Sequence, residues 1–179
     1  CLMASDKSYS RDFFSFHRSL KQRNAALKFK KLSNIDMWSE IFINTGTSIS
    51  DKRIKFFKET KNTFFEFSKN LRDSRVLEII NSLEIIFYSG WAEEKSLNAV
   101  LELNKDADQR KTTTTSGPHK ADIKFLIGGS DIKYILSRGE QKLMSILWCL
   151  SMHKTLSVSY GVKPFLIIDD IHSELDEGF

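Results

Sequence analysis

The sequence predicts an α/β protein in which a helical arm over residues 8–73 leads into an α/β body over residues 74–179. Three observations predict it. Apolar side chains recur at spacings of three and four over roughly the first seventy residues, the period of an amphipathic helix. From about Asp73 the texture changes to short β-branched and aromatic runs. Near the end, PFLII at residues 164–168 is a continuous apolar run that closes on Asp169 and Asp170, as a central parallel strand covered on both faces does.

Residues 9–31 read as the first helix. Phe13, Phe16, Leu20 and Leu27 fall within one arc at 100° per residue, and Lys7, Arg11, Arg18, Lys21 and Lys28 fall on another side. A short turn at 31–34 leads to a second helical stretch over residues 35–71. Its stripe runs through Trp38, Ile41, Phe42, Thr45 and Ile49, then Phe56, Phe57, Thr60, Phe64, Phe67 and Leu71. Two such stretches joined by a short turn predict a helical hairpin or coiled-coil-like arm. Gly46 and the surrounding Ser and Thr residues weaken the middle of the second helix, which leaves room for a kink there.

Beyond the arm, residues 82–91 (SLEIIFYSGW) read as a strand and residues 93–107 as a helix. Residues 111–116 are a Thr-rich connector. Residues 121–127 alternate as a strand, with Ile123, Phe125 and Ile127 on one face, and end at the turn signal Gly128-Gly129. A loop at Ser137 opens a helix to about residue 160, with Leu143, Ile146, Leu147 and Leu150 as its expected apolar face. Gly161 and Pro164 end it.

The 179 residues are ample for a hydrophobic core. No apolar run approaches the roughly 20 residues that span a bilayer, and the start carries no signal-peptide pattern, so a cytoplasmic protein is expected. Cys1 and Cys149 make no disulfide framework; Cys149 is expected as a reduced, part-buried thiol. The net charge of +4 is uneven: residues 7–31 hold eight basic residues and one acid, Asp12, which gives that stretch +7. Such a face suits a polyanion, and a solvated helix face would look the same. His17, His153 and His172 show no ligand spacing, and no structural metal is expected.

Two strings carry chemistry. In LSRGEQ (residues 136–141) a helix N-terminus presents backbone N–H groups and the positive end of its dipole, which suits a phosphate. Ser137 supplies a hydroxyl and an N-cap, Arg138 a positive charge, and Gly139 close backbone approach. In the second string, a buried strand ends in Asp169, placed to hold Mg²⁺ through water, and in Asp170, placed to polarise an attacking water. Alone, each string reads sooner as an ordinary capped helix or a strand ending in a polar turn. Their order and close spacing are those of the signature loop and Walker B strand of an ABC-type ATPase, with Ser173-Glu174-Leu175-Asp176 at D-loop distance.

The chain resembles the RecF family of bacterial DNA replication and repair ATPases, relatives of SMC proteins. The residues that carry the resemblance are LKQRNAALK at 20–28, SGPHKADIKF at 116–125, LSRGEQKL at 136–143 and LIIDDIHSELD at 166–176. The resemblance implies a fragment of an ABC/SMC-type P-loop ATPase head with a helical arm, which binds ATP and Mg²⁺ and dimerises head to tail on DNA. It implies that Ser137, Arg138 and Gly139, with Glu140 and Gln141 in the same turn, face the nucleotide of the partner copy. Asp169 would serve Mg²⁺, Asp170 would be the catalytic carboxylate, and Ser173 and Asp176 would form the D-loop. On the arm, Arg11, Arg18, Lys21 and Lys28 would meet DNA. The family's setting is recombinational repair at single-strand gaps and single-strand/double-strand junctions, part of the response to DNA damage, with RecR and RecO as partners.

The resemblance covers the C-terminal half of such a protein. No GxxxxGK(S/T) occurs in the chain, so this polypeptide is expected not to hydrolyse ATP by itself, and to expose apolar sheet edges. Two other readings stay open: a stand-alone DNA-binding or interaction module without ATPase activity, and a fragment of another SMC-like ATPase.

Overall fold

A computed structural model describes residues 2–92, 94–167 and 169. The element order is α1 (Leu2–Ser5), α2 (Lys7–Lys28), α3 (Ile35–Ser68), α4 (Ser74–Ser82), β1 (Leu83–Tyr88), α5 (Leu97–Leu103), α6 (Lys105–Lys111), β2 (Asp122–Ile127), β3 (Ser130–Asp131) and α7 (Arg138–Ser159), with single 3₁₀ turns at Leu32–Asn34, Pro118–Lys120 and Ile132–Tyr134. The fold is α/β. The chain forms two compact units: one takes the chain up to Ile54 and then Phe87–Asp122, the other takes Lys55–Ile86 and the chain from Ile123 onward. The boundaries of these units fall inside α3, β1 and β2.

In the first unit, α2 starts where Asp6 accepts from the backbone N–H groups of Ser8 and Tyr9 at 2.8 and 3.0 Å. α2 and the first half of α3 lie antiparallel. Lys52 donates to Ser8, Ser48 to Asp12 and Arg53 to Tyr9, while the Phe16 and Phe42 rings meet at 5.0 Å, tilted by 33°. The core is Tyr9, Phe16, Leu27, Phe42, Ile49, Leu97, Val100 and Leu101. α3 is continuous through Gly46. A Cβ there would sit 2.9 Å from Leu97 Cδ2 and 3.3 Å from Pro118 Cγ. The glycine serves close packing against Leu97 and Pro118 within one uninterrupted helix.

A buried polar network holds the Thr-rich connector to α2. Arg23, only 4% exposed, donates from Nη1 to Asp108 Oδ2 (2.8 Å) and Thr114 Oγ1 (2.6 Å), and from Nε to Ser39 Oγ (3.0 Å). Asp108 Oδ1 accepts from the Thr115 backbone and hydroxyl, and Asn24 Oδ1 accepts from both the backbone and the hydroxyl of Thr114. The expected single helix over 93–107 is two, α5 and α6, which meet at Asn104. The break sets Asp108 at 1% exposure beneath the connector.

The second unit packs the later part of α3, α4, the sheet and α7. Trp148 lies 6.0 Å from the rings of Phe57 and Phe64 and 5.3 Å from that of Phe125, and Val76, Ile79, Ile80, Ile85 and Met144 are also buried in this unit. The sheet order is β1-β2-β3. β2 and β3 pair antiparallel, Leu126 with Asp131 and Ile127 with Ser130, through Gly128-Gly129. Both glycines have positive φ, 56° and 79°, which a two-residue hairpin turn demands.

Three expectations are corrected here. α7 buries Met144, Leu147, Trp148, Ser151, Thr155 and Leu156, so Leu147 lies on the inner face as expected while Leu143, Ile146 and Leu150 are only half-buried at its edge. Ser151 and Thr155 can line that face because Ser151 donates to the Leu147 carbonyl and Thr155 pairs with Thr63. Cys149 is exposed on the other side. Residues 161–167 form no strand, and Phe165 and Ile167 are 98% and 90% exposed. A central strand exists only by pairing its backbone with neighbours, and among the described residues no strand lies beside this run.

Candidate functional site

The LSRGEQ turn is built in layers. Asp131 caps the Ile132–Tyr134 turn by accepting from the Lys133 N–H at 3.0 Å, and the Leu136 N–H returns to the Ile132 carbonyl at 2.8 Å. Ser137 is extended, at φ −61° and ψ 163°, and α7 begins at Arg138. The local sequence S-x-x-E forms a reciprocal capping box: Ser137 Oγ accepts from the Glu140 N–H at 3.3 Å, and Glu140 Oε2 accepts from the Ser137 N–H at 2.8 Å. Ser137 and Arg138 are exposed and Gly139 is half-buried. The Gln141 amide donates to the carbonyls of Leu136 (2.8 Å) and Lys133 (3.4 Å) and ties the preceding turn to the helix.

Glu140 is buried beneath this surface, and its Oε1 accepts from Arg75 Nε of α4 at 3.0 Å. Burial pushes its carboxyl up, but the Ser137 backbone and hydroxyl and the Arg75 guanidinium together outweigh burial, so the net shift is downward and Glu140 is ionised at neutral pH. α4 was not foreseen. Asp73 caps it by accepting from the Val76 N–H at 2.8 Å, and Val76, Ile79 and Ile80 pin its inner face. The Asp73 cap was a readable signal; nothing in the sequence pairs Arg75 with a residue 65 positions away. Ser137, Arg138 and Gly139 therefore form an exposed helix N-terminus, while Glu140 and Gln141 are occupied in holding it.

Asp169 is exposed. Asp170, Ser173 and Asp176 lie outside the described residues. Among the described residues no group of three or more His, Cys, Asp or Glu side chains is placed to hold a metal ion. One exposed hard carboxylate fits Mg²⁺, which takes one or two carboxylates and keeps water and phosphate oxygens for the rest.

The exposed cationic residues of α2 share one face, from which the buried Arg23 is turned away. Lys7, Arg11, Arg18, Lys21 and Lys28 are all exposed, and Phe14, 63% exposed, stands within the stripe they form. His119 does not join them. Its Nε2 lies 3.0 Å from the Thr114 carbonyl, its ring packs near Phe16 and Phe42, and burial pushes its pKa down, so it is a neutral packing residue of the first unit. Lys120 is exposed. No helix among the described residues is long and apolar enough to cross a membrane.

No protein-family model matches the chain. It is 36% identical over 166 residues to the DNA replication and repair protein RecF of Pseudoalteromonas translucida (strain TAC 125), which covers 91% of this chain and 44% of that protein. It is 33% identical over 171 residues to the protein of the same name from Coxiella burnetii (strain RSA 493 / Nine Mile phase I), covering 92% and 46%. Two solved structures of the recombination mediator protein RecF in the RecFOR pathway, RecF-ATP and RecF-ATPrS, superpose with TM-scores of 0.79 and 0.81 at 29% and 28% identity. They cover 99% and 98% of this chain and 49% of each solved chain. The chain thus spans about half the length of the relatives it matches. The collinear strings, the α/β fold and the capped Ser137 turn converge with these likenesses: the chain belongs to the RecF family and represents its C-terminal half.

Proposed function

We propose that, in a full-length protein carrying this sequence, the chain supplies the nucleotide-capping side of an ATP-driven DNA clamp that acts in replication and recombinational repair. The observation that carries this reading is the exposed, doubly capped N-terminus of α7. Ser137, Arg138 and Gly139 present a hydroxyl, a cation and close backbone approach at the positive end of a 22-residue helix. That arrangement suits the γ-phosphate of ATP bound to a second copy. Glu140 and Gln141 serve the same site by fixing the turn. Residues 8–73 act as the arm and residues 74–179 as part of the head.

Asp169 would hold Mg²⁺ through water, and bound Mg²⁺ would neutralise charge on the phosphates. Asp170 takes the role of catalytic carboxylate, and Ser173 and Asp176 that of the D-loop across the dimer. Arg11, Arg18, Lys21 and Lys28 track the DNA backbone. Their exposure on one face supports contact with phosphates, and the family's setting supports single-strand gaps and junctions as the DNA, RecR and RecO as partners, and the cytoplasm as the compartment.

A salt titration of DNA binding by the full-length protein tests the electrostatic part. With ATP present, log Kobs should fall linearly with log salt. Arg18→Ala combined with Lys21→Ala should flatten the slope by about 1.4 to 1.8, the loss of two phosphate contacts. An unchanged slope would reduce the α2 face to a solvated surface.

A further inference from the structure

The cap of the signature turn poses an electrostatic problem that a residue outside the motif resolves. Glu140 places a carboxylate in the first turn of α7, where a negative charge stabilises the helix itself. The same charge opposes any phosphate that approaches Ser137, because the turn buries Glu140 and holds Oε2 2.8 Å from the Ser137 nitrogen. Two like charges in a partly desolvated site repel far more strongly than in bulk water. Arg75 lies against the other carboxylate oxygen, Nε to Oε1 at 3.0 Å. It is held there by α4, whose Val76, Ile79 and Ile80 are buried while the Arg75 side chain stays 59% exposed. Its second carboxylate neighbour, Glu78, is 3.9 Å from Nη1 and well exposed.

We infer that Arg75 is a positioning residue of the nucleotide-capping turn: it cancels the charge of Glu140 and fixes its rotamer, so that the turn can both be capped by a carboxylate and accept a phosphate. The inference rests on the proposed approach of a γ-phosphate to Ser137. A purely structural ion pair would also hold α4 to α7, but it would not make the effect of losing Arg75 depend on the charge of Glu140.

That difference is testable in the full-length protein by measuring the ATP concentration for half-maximal dimerisation beside the affinity for a fluorescent ATP analogue in the monomer. Arg75→Ala should raise the half-maximal concentration about five- to tenfold, the lower range of a coupling between sites, and leave monomer nucleotide affinity unchanged. Arg75→Lys, which keeps the charge, should recover most of the loss. The deciding variant is Arg75→Ala combined with Glu140→Gln. The glutamine oxygen can still accept from the Ser137 N–H while the negative charge is gone, so dimerisation should return toward the unmodified value. If the double variant dimerises no better than Arg75→Ala, or if Arg75→Ala alone has no effect, the inference is overturned. A circular dichroism melt for each variant separates unfolding from loss of the site. Ser137→Arg tells the two layers apart. If it abolishes dimerisation while Arg75→Ala does not, only the role of Arg75 fails; if it too dimerises normally, the phosphate reading of the turn fails and the inference goes with it.

Discussion

Replacing Asp108 with alanine will destabilise the protein by about 3–5 kcal/mol, the cost of leaving one partner of a buried ion pair without its counter-charge. Asp108 is 1% exposed and takes three hydrogen bonds, from Arg23 Nη1, the Thr115 N–H and the Thr115 hydroxyl. Its loss strands the buried Arg23 guanidinium without its counter-charge, and releases the connector that leads into Pro118–Lys120. Ser39 and Thr114 still accept from Arg23, but neutral oxygens do not replace a carboxylate. Arg23→Met combined with Asp108→Leu removes both charges and should recover most of the stability, since apolar replacement of a buried pair is often neutral. Urea unfolding followed by far-UV circular dichroism reads both. A loss below about 1 kcal/mol for Asp108→Ala would place the pair among ordinary surface ion pairs.

The second large effect concerns function. Ser137→Arg in the full-length protein should abolish ATP-dependent dimerisation and leave ATP binding by the monomer intact. The serine is exposed and its hydroxyl caps Glu140 N–H, so its replacement costs only about 1 kcal/mol of helix stability. An arginine there puts a long side chain where a phosphate and a second copy are to meet the turn. Light scattering with and without ATP gives the mass, and equilibrium titration of a fluorescent analogue gives the affinity. A variant that still dimerises on adding ATP would remove Ser137 from the phosphate site.

How much of this was legible in the sequence follows the range of the interactions. α2 and α3 were readable because their stripes repeat over many turns, and each turn restates the same face. The β2–β3 turn was readable because Gly128-Gly129 is a local requirement, and the α7 start because Ser137 is an N-cap residue just before an apolar-periodic stretch. α4 was hidden because its apolar residues run straight into those of β1, Val76 to Ile86 without a turn signal. The inner face of α7 was misread because Ser151 and Thr155 look polar in sequence; one donates back to its own helix and the other meets Thr63. Arg23 looked like one more cation of the basic stretch. Its burial follows from Asp108, 85 residues away, which no local pattern announces. The same holds for Arg75 and Glu140. The run at 165–167 reads as a strand because its side chains suit one, but a strand is made by its neighbours.

The central claim is that the Ser137 turn of one copy closes over ATP held by another. A crystal structure of the full-length protein with a non-hydrolysable ATP analogue measures it directly. The account predicts Ser137 Oγ within hydrogen-bond range, about 2.7–3.2 Å, of a γ-phosphate oxygen bound by a second copy. A turn directed away from every bound nucleotide, in a molecule otherwise dimerised on ATP, would contradict it.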